Sequence, residues 1–433
     1  MTVNVTPPQY IGGFFMKIVH KICCGMDVHK DLIVATIAVT DQDLVTDYIQ
    51  KSFSSQNFDL LLLKDWLKAH QCFEVAMEST GKYWIPVFNV LEDEINVHIV
   101  HPKYTKAIKG KKTDKKDSKW IADLFKHDLL KFSFIPPKEI RELRELSRYR
   151  IKLVNMRSSE RNRYQNSMTV SNIGLASILT DPFGKSASSI MKEVLTSSSI
   201  DDAKISKLLN RSAKKKTAAV LESLKGSHVE HDQKLKMTIA SKHMDNLDSY
   251  INDIEVEMFK RLLPHAGQFT HLTTIPGIST MSAMIIISEI GLDMSQFESD
   301  KQLCCWAGLT PANNESANKK KSVRISKAGT YLRPILIQCA LCAVACKSET
   351  YFAIKYNRIK KRRGHKKAII AIARMMLTSI YNMLLTGEVF NPSDYDSLKN
   401  PRPAKPSYTP ESAVQYLASL GVDTSSIKLP VDA

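Results

Sequence analysis

Between residues 21 and 100 the chain changes its hydrophobic rhythm several times, and that alternation narrows the possible folds more than any other feature. Residues 22–28 (ICCGMDV) and 33–39 (IVATIAV) are short β-rich runs. Residues 57–70 have the spacing of an amphipathic helix, 73–78 (FEVAME) of a strand, 83–93 of a helix and 96–100 (NVHIV) of a strand. Two neighbouring strands followed by strand–helix–strand units predict a mixed α/β sheet. A further helix is expected from about Thr113, with that threonine as its N-cap. The prolines in residues 135–139 (IPPKE) mark a boundary.

Carboxylates recur where such a sheet would put them to use. Asp27 and Glu78 fall at the ends of predicted strands, the edge of an α/β sheet where ligands bind. Asp114 and Asp117 are three residues apart at the start of a predicted helix and project to one side of it. Four acids brought together repel one another unless a cation neutralises them, and oxygen ligands of this kind suit Mg²⁺ or Mn²⁺. The bland alternative is a set of surface carboxylates. Asp114 and Asp117 stand among Lys111, Lys112, Lys115, Lys116 and Lys119, where helix salt pairs are available.

The formal net charge is +17 with a sequence pI near 9.3, which points to a polyanionic partner such as nucleic acid. No run of about 18 or more apolar residues stands out as a membrane span, and Met1 to Phe15 lacks the layout of a secretory signal. The eight cysteines show no disulfide spacing. Cys339, Cys342 and Cys346 are expected to fill a helical core rather than bind metal.

The second half reads as helical. Ile140 to Tyr164 is one long helix, and Met237, Ala240, Met244, Leu247, Ile251, Ile254 and Met258 form a heptad seam. Such a seam wants a partner helix, in the same chain or in another protomer. The turn Ile275-Pro276-Gly277-Ile278 looks like a helix-hairpin-helix whose backbone N–H groups suit a phosphate, Gly277 included. Lys319, Lys320, Lys321, Arg324 and Lys327 form one basic stretch, and residues 355–367, with Arg362, Arg363, Lys366 and Lys367, another that holds no acid. Both are candidate backbone contacts to nucleic acid, as are Lys111, Lys112, Lys115 and Arg333. Ser316, taken by itself, is an ordinary loop serine without a nearby base.

The motifs as a set resemble a known family. Gly25-Met26-Asp27-Val28-His29-Lys30, Met77-Glu78-Ser79-Thr80-Gly81 and Lys112-Thr113-Asp114-Lys115-Lys116-Asp117 are similar to the acidic motifs of the DEDD insertion-sequence transposases, with which the Piv-type invertases belong. Ile275 to Ser279, Ala307-Gly308-Leu309-Thr310-Pro311, Ser316 and Ile325 to Gly329 follow in that family's order. The resemblance implies a RuvC/RNase H-like α/β domain over 21–136 after an extension over 1–20. A helical coiled-coil arm with a small insertion would follow over 137–265, a mainly α, serine-bearing domain over 266–390 and a tail over 391–433. It implies a metal-binding tetrad of Asp27, Glu78, Asp114 and Asp117 and a nucleophile at Ser316. Ala317 stands where the family places glycine, and Ser322 and Ser326 are close by. It further implies DNA recombination in the bacterial cytoplasm, on donor and target DNA, by a dimer or tetramer working with a structured guide RNA. If the heptad seam pairs between protomers, the acids of one chain and the serine of another would form a composite site in the multimer. A junction nuclease using water and a non-catalytic nucleic-acid-binding protein are the rival readings.

Overall fold

The computed structural model describes residues 17–102, 114–197, 200–311, 314–316, 319–322, 324–346, 350–400 and 410–425, with backbone only for residues 314–316, 319–322, 410 and 411. Thr113, Lys111 and Lys112 lie outside the described residues, as do the side chains of Ser316, Lys319, Lys320, Lys321 and Ser322. The chain divides into two compact units, Met1–Pro136 and Pro137–Ala433.

The first unit is a six-stranded mixed sheet of RuvC-like character. Strands β1 (Ile22–Val28), β2 (Leu32–Thr40) and β3 (Thr46–Ser54) form an antiparallel meander. Helix α1 (Asn57–Ala69) leads to β4 (Glu74–Glu78), which pairs parallel to β1. Helix α2 (Trp84–Leu91) leads to β5 (Asn96–Val100), parallel to β4. After α3 (Asp114–Lys126) the short β6 (Phe132–Ser133) closes the edge, giving the order β3-β2-β1-β4-β5-β6.

Both faces of this sheet are covered, which is why β1 and β2 are apolar almost throughout. Cys24, Met26, Val28, Val75 and Met77 point to one face and pack against Leu60, Leu63, Leu67, Val87 and Leu91 of α1 and α2. Cys23 and Ala76 point to the other, with Ile121, Ala122 and Phe125 of α3. The sequence does not announce β3. It is an edge strand with mostly exposed polar residues, and Phe53 is its buried apolar anchor.

The second unit begins with two long helices, α4 (Lys138–Val170) and, beyond α5 (Leu175–Ile178), α6 (Lys185–Thr196), α7 (Asp202–Leu208) and α8 (Thr217–Leu224), α9 (His231–Leu262). The seam on α9 packs along α4 of the same chain and runs antiparallel to it. Leu143 shares a core with Met258, Leu153 with Leu247 and Ile251, and Met168 with Met237 and Ala240. The ion pairs Arg150–Glu255 and Arg157–Asp248 line one flank of the helix pair. The segment between the two helices, left unassigned by its sequence, is a small bundle built on Ile190, Met191, Ile205 and Val220.

The remaining helices are α10 (Ala266–Thr273), α11 (Thr280–Ile290), α12 (Asp300–Trp306), α13 (Leu332–Ala345), α14 (Tyr351–Arg363), α15 (His365–Thr386), α16 (Tyr395–Lys399) and α17 (Pro410–Ser419). A hairpin, β7 (Asn314–Ser316) with β8 (Lys319–Ser322), interrupts them after α12.

Two expectations change here. Helix α15 is long and apolar enough to cross a membrane, although no such run stood out in the sequence. Its apolar face, from Ala368 through Ile372 and Met376 to Ile380, is packed into the core, which accounts for its composition. Of the three cysteines on α13 and at its end, only Cys339 is buried, while Cys342 and Cys346 are exposed. The buried stripe of α13 runs through Leu332, Leu336, Cys339, Ala340 and Ala343, so Cys342 falls beside it.

Candidate active site

Asp27 is the penultimate residue of β1, on the face covered by α3, and is 6% exposed. Its neighbour across the parallel pairing follows from the register Met26↔Met77, which sets Glu78 one residue further along β4 at the same sheet edge. Glu78 is half-buried and accepts a hydrogen bond from Thr80 Oγ1 at 3.4 Å.

What brings α3 over this edge is the absence of a side chain. A Cβ at Gly25 would lie 2.3 Å from the Ala122 nitrogen and 2.3 Å from the Ser118 carbonyl oxygen, so only glycine lets the helix rest on β1. A polar pin holds its first turns. Thr36 Oγ1 and Ser118 Oγ are 2.7 Å apart, both residues buried, and Gln50 Nε2 of β3 donates to Thr36 Oγ1 and to the Lys115 carbonyl. A polar pair buried in this way is satisfied rather than stranded.

With α3 so placed, Asp27, His29 and Asp114 each offer a ligand atom within 4.8 Å of the others. His29 Nε2 stands 3.2 Å from Asp27 Oδ2 and 3.6 Å from Asp114 Oδ1. Burial raises the pKa of Asp27 above the ordinary 3.8; His29 opposes that shift, and the charges of Asp114 and Asp117 add to it. Three of the four expected acids therefore share one electrostatic neighbourhood, and the fourth, Glu78, lies on the adjoining strand. The donor set, carboxylate oxygens around a buried acid with one imidazole, fits a divalent cation. His29, which in the sequence could touch metal or DNA but reads more readily as structural, follows the strand and stands beside two of the acids.

In the second unit, Ser316 sits on β7 opposite Lys319 of β8. The base of this hairpin is tied by a bridge between Pro311 and Ile325. Gly308 and Gly329, both with positive φ, make the adjoining turns. Arg333, expected to meet nucleic acid, has its Nη1 donating to the carbonyl of Ser326 at 2.6 Å and to that of Gly308 at 3.4 Å. Gly277 is likewise used in packing: a Cβ there would lie 2.4 Å from the Cys339 carbonyl oxygen of α13. Arg324, Lys327 and Lys115 are exposed.

The basic run of α14 is divided. Lys355 pairs with Asp394 at 2.6 Å and Arg358 donates to the Leu398 carbonyl, both supplied by the segment after α15. Arg362, Arg363, Lys366 and Lys367 lie exposed around Gly364, at the junction of α14 and α15. One buried ion pair went unforeseen. Glu289, in the apolar helix α11, is 2% exposed and takes a bidentate contact from Arg148 of α4, at 2.8 and 2.9 Å. The Arg148 guanidinium also lies 4.6 Å from the ring centre of Tyr331.

The six-stranded sheet thus carries one acid near the end of its first strand and two more on the helix laid over that strand. Residues 24–172 match the family of DEDD transposases of the IS110 type, and residues 270–357 match the "Transposase IS116/IS110/IS902 family". The chain belongs to this IS110-type DEDD transposase family. It is 29% identical over 148 residues to the transposase for insertion sequence element IS1111A of Coxiella burnetii, covering 34% of this chain and 40% of that one. It is 27% identical over 304 residues to the insertion element IS900 uncharacterized 42 kDa protein of Mycobacterium paratuberculosis, covering 65% and 73%. A third relative, the transposase for insertion sequence element IS1328 of Yersinia enterocolitica, is 32% identical over 105 residues, 24% of this chain and 31% of its own.

Proposed function

We propose that the chain is the transposase or site-specific recombinase of a bacterial insertion sequence, cutting and rejoining DNA in the cytoplasm. The observation that carries this reading is the gathering of Asp27, Asp114 and His29 over β1, with Asp117 and Glu78 beside them, in a stretch matched by the transposase family. Asp27, Glu78, Asp114 and Asp117 would hold Mg²⁺ or Mn²⁺. Such an ion, when bound, supplies positive charge for the phosphodiester in displacement.

The chain's own residues do the rest. The Ser316 hydroxyl gives up its proton and bonds to phosphorus as the DNA ester bond breaks, and the departing DNA oxygen takes a proton. A hydroxyl of the incoming strand then attacks the same phosphorus and loses its proton as the serine–phosphorus bond breaks, and the released Ser316 oxygen takes a proton back. One phosphodiester is exchanged for another, so no external energy source is required. Exposed lysines and arginines hold the DNA backbone without reading its sequence. A structured RNA pairing with donor and target DNA would supply sequence recognition, and a dimer or tetramer would hold the ends.

The test is trapping of a covalent protein–DNA adduct on donor DNA. Ser316→Ala is expected to lose the adduct, and Asp27→Ala, Glu78→Ala, Asp114→Ala or Asp117→Ala, or excess chelator, to abolish cleavage. Cleavage by the Ser316→Ala protein with no adduct would instead identify a nuclease that uses water. Absence of RNA from active, purified protein would remove the guide.

A further inference from the structure

His29 is not one of the four acids, yet it stands closest to two of them. We propose that His29 Nε2 is itself a ligand of the divalent ion, which makes the site a mixed oxygen–nitrogen one that favours Mn²⁺ over Mg²⁺. This rests on the metal-site reading above and goes beyond it.

Distance is the first argument. Ligands at right angles about an ion some 2.1 Å away stand about 3.0 Å apart. His29 Nε2 lies 3.2 Å from Asp27 Oδ2 and 3.6 Å from Asp114 Oδ1, close to the spacing of donors that share one ion. Placement is the second. The His29 amide donates to the Leu32 carbonyl at 2.9 Å, which fixes the backbone of the turn between β1 and β2. The ring is thereby held at the sheet edge, half exposed, beside an Asp27 that is almost fully buried.

Chemistry is the third. Nε2 cannot donate a hydrogen to Asp27 and bind an ion at the same time. In the bound state the ring hydrogen must therefore sit on Nδ1, leaving the Nε2 lone pair for the ion. Mg²⁺ takes oxygen donors and gives up its waters reluctantly, whereas a transition-metal ion such as Mn²⁺ accepts imidazole. An all-oxygen site would discriminate less between the two.

The experiment is Mn²⁺ titration of the full-length protein, followed by electron paramagnetic resonance with pulsed detection of nitrogen coupling. The wild type is expected to bind Mn²⁺ and to show modulation from a directly bound ¹⁴N. Asp27→Asn should abolish the binding. His29→Ala and His29→Gln, checked for native circular dichroism, should lose the nitrogen signal. Both should weaken Mn²⁺ binding by roughly tenfold or more and reduce the preference for Mn²⁺ in competition with Mg²⁺. Asp27-dependent binding without nitrogen modulation, or modulation that survives in both variants, overturns the assignment of His29 alone. Failure of the wild type to bind Mn²⁺ through Asp27 overturns the metal site and this inference together.

Discussion

Gly308 and Gly329 lie back to back across the base of the serine hairpin: a Cβ on Gly329 would sit 2.0 Å from the Ala307 carbonyl oxygen, and one on Gly308 2.3 Å from that of Ala328. Both also hold φ near +70°, a region that costs other residues energy. Gly329→Ala is therefore expected to open the two turns and cost about 3 kcal/mol. Hydrogen exchange should rise across residues 308–333 while the first unit keeps its protection. An unchanged exchange pattern would show that the turns relax without loss.

Asp27 carries a cost in the metal-free protein. Its pKa is raised by burial, with Asp114 and Asp117 adding and His29 opposing, so the folded chain holds this proton more tightly than the unfolded one. The ionised group then penalises folding above the raised value, and the penalty fades as pH falls through that value toward 3.8. In chelator at neutral pH, Asp27→Asn should raise Tm above that of the wild type. The gap to wild type should close on acidification. A lower Tm for the variant at neutral pH would mean that the His29 contact outweighs burial.

Arg148 is expected to matter through Glu289. Hydrogen bonding to Glu289 raises the Arg148 pKa, and burial lowers that of Arg144, which donates to the Ser288 and Glu289 carbonyls. Arg148→Met would strand a buried carboxylate, a loss of about 3–5 kcal/mol. Adding Glu289→Leu should recover most of it in urea unfolding. No recovery in the double variant would place the energy in the Tyr331 stacking instead.

The exposed corner of α14 and α15 should differ from the rest of the basic run. Replacing Arg362, Arg363, Lys366 and Lys367 with Gln is expected to lower the log–log salt slope of duplex DNA binding by about 0.9 for each lost phosphate contact. Arg358→Gln should leave the slope unchanged, because its guanidinium is engaged with Leu398. Fluorescence anisotropy over a salt series measures both, and equal effects would erase the distinction.

Strands β1 and β2 are readable in the sequence because a sheet covered on both faces writes itself as continuous apolar runs, and β4 and β5 because short β-rich segments alternate with helical ones. β3 is not, since its residues mostly face solvent and only pairing with β2 makes it a strand. Asp27 and Glu78 are readable from their places at strand ends. The pin of Thr36, Gln50 and Ser118 joins three elements far apart in the chain, and no local spacing marks it. Glu289 is hidden for a related reason: it reads as a lone acid in an apolar helix until its partner, 141 positions earlier, is known. The seam on α9 announces a partner helix without saying which one. The packing of Leu247 and Ile251 on Leu153 supplies that answer.

That packing also predicts an order of events for a chain emerging from the unfolded state. The ends of α4 and α9 next to the small bundle are separated by far less chain than the opposite ends, where Leu143 meets Met258. Closing the near ends costs less chain entropy, and each further turn then closes onto helix already in register. The helix pair would thus zip from the bundle toward the core of α10–α15. Substitutions at Met168 or Met237 would slow folding, and those at Leu143 or Met258 would mainly speed unfolding.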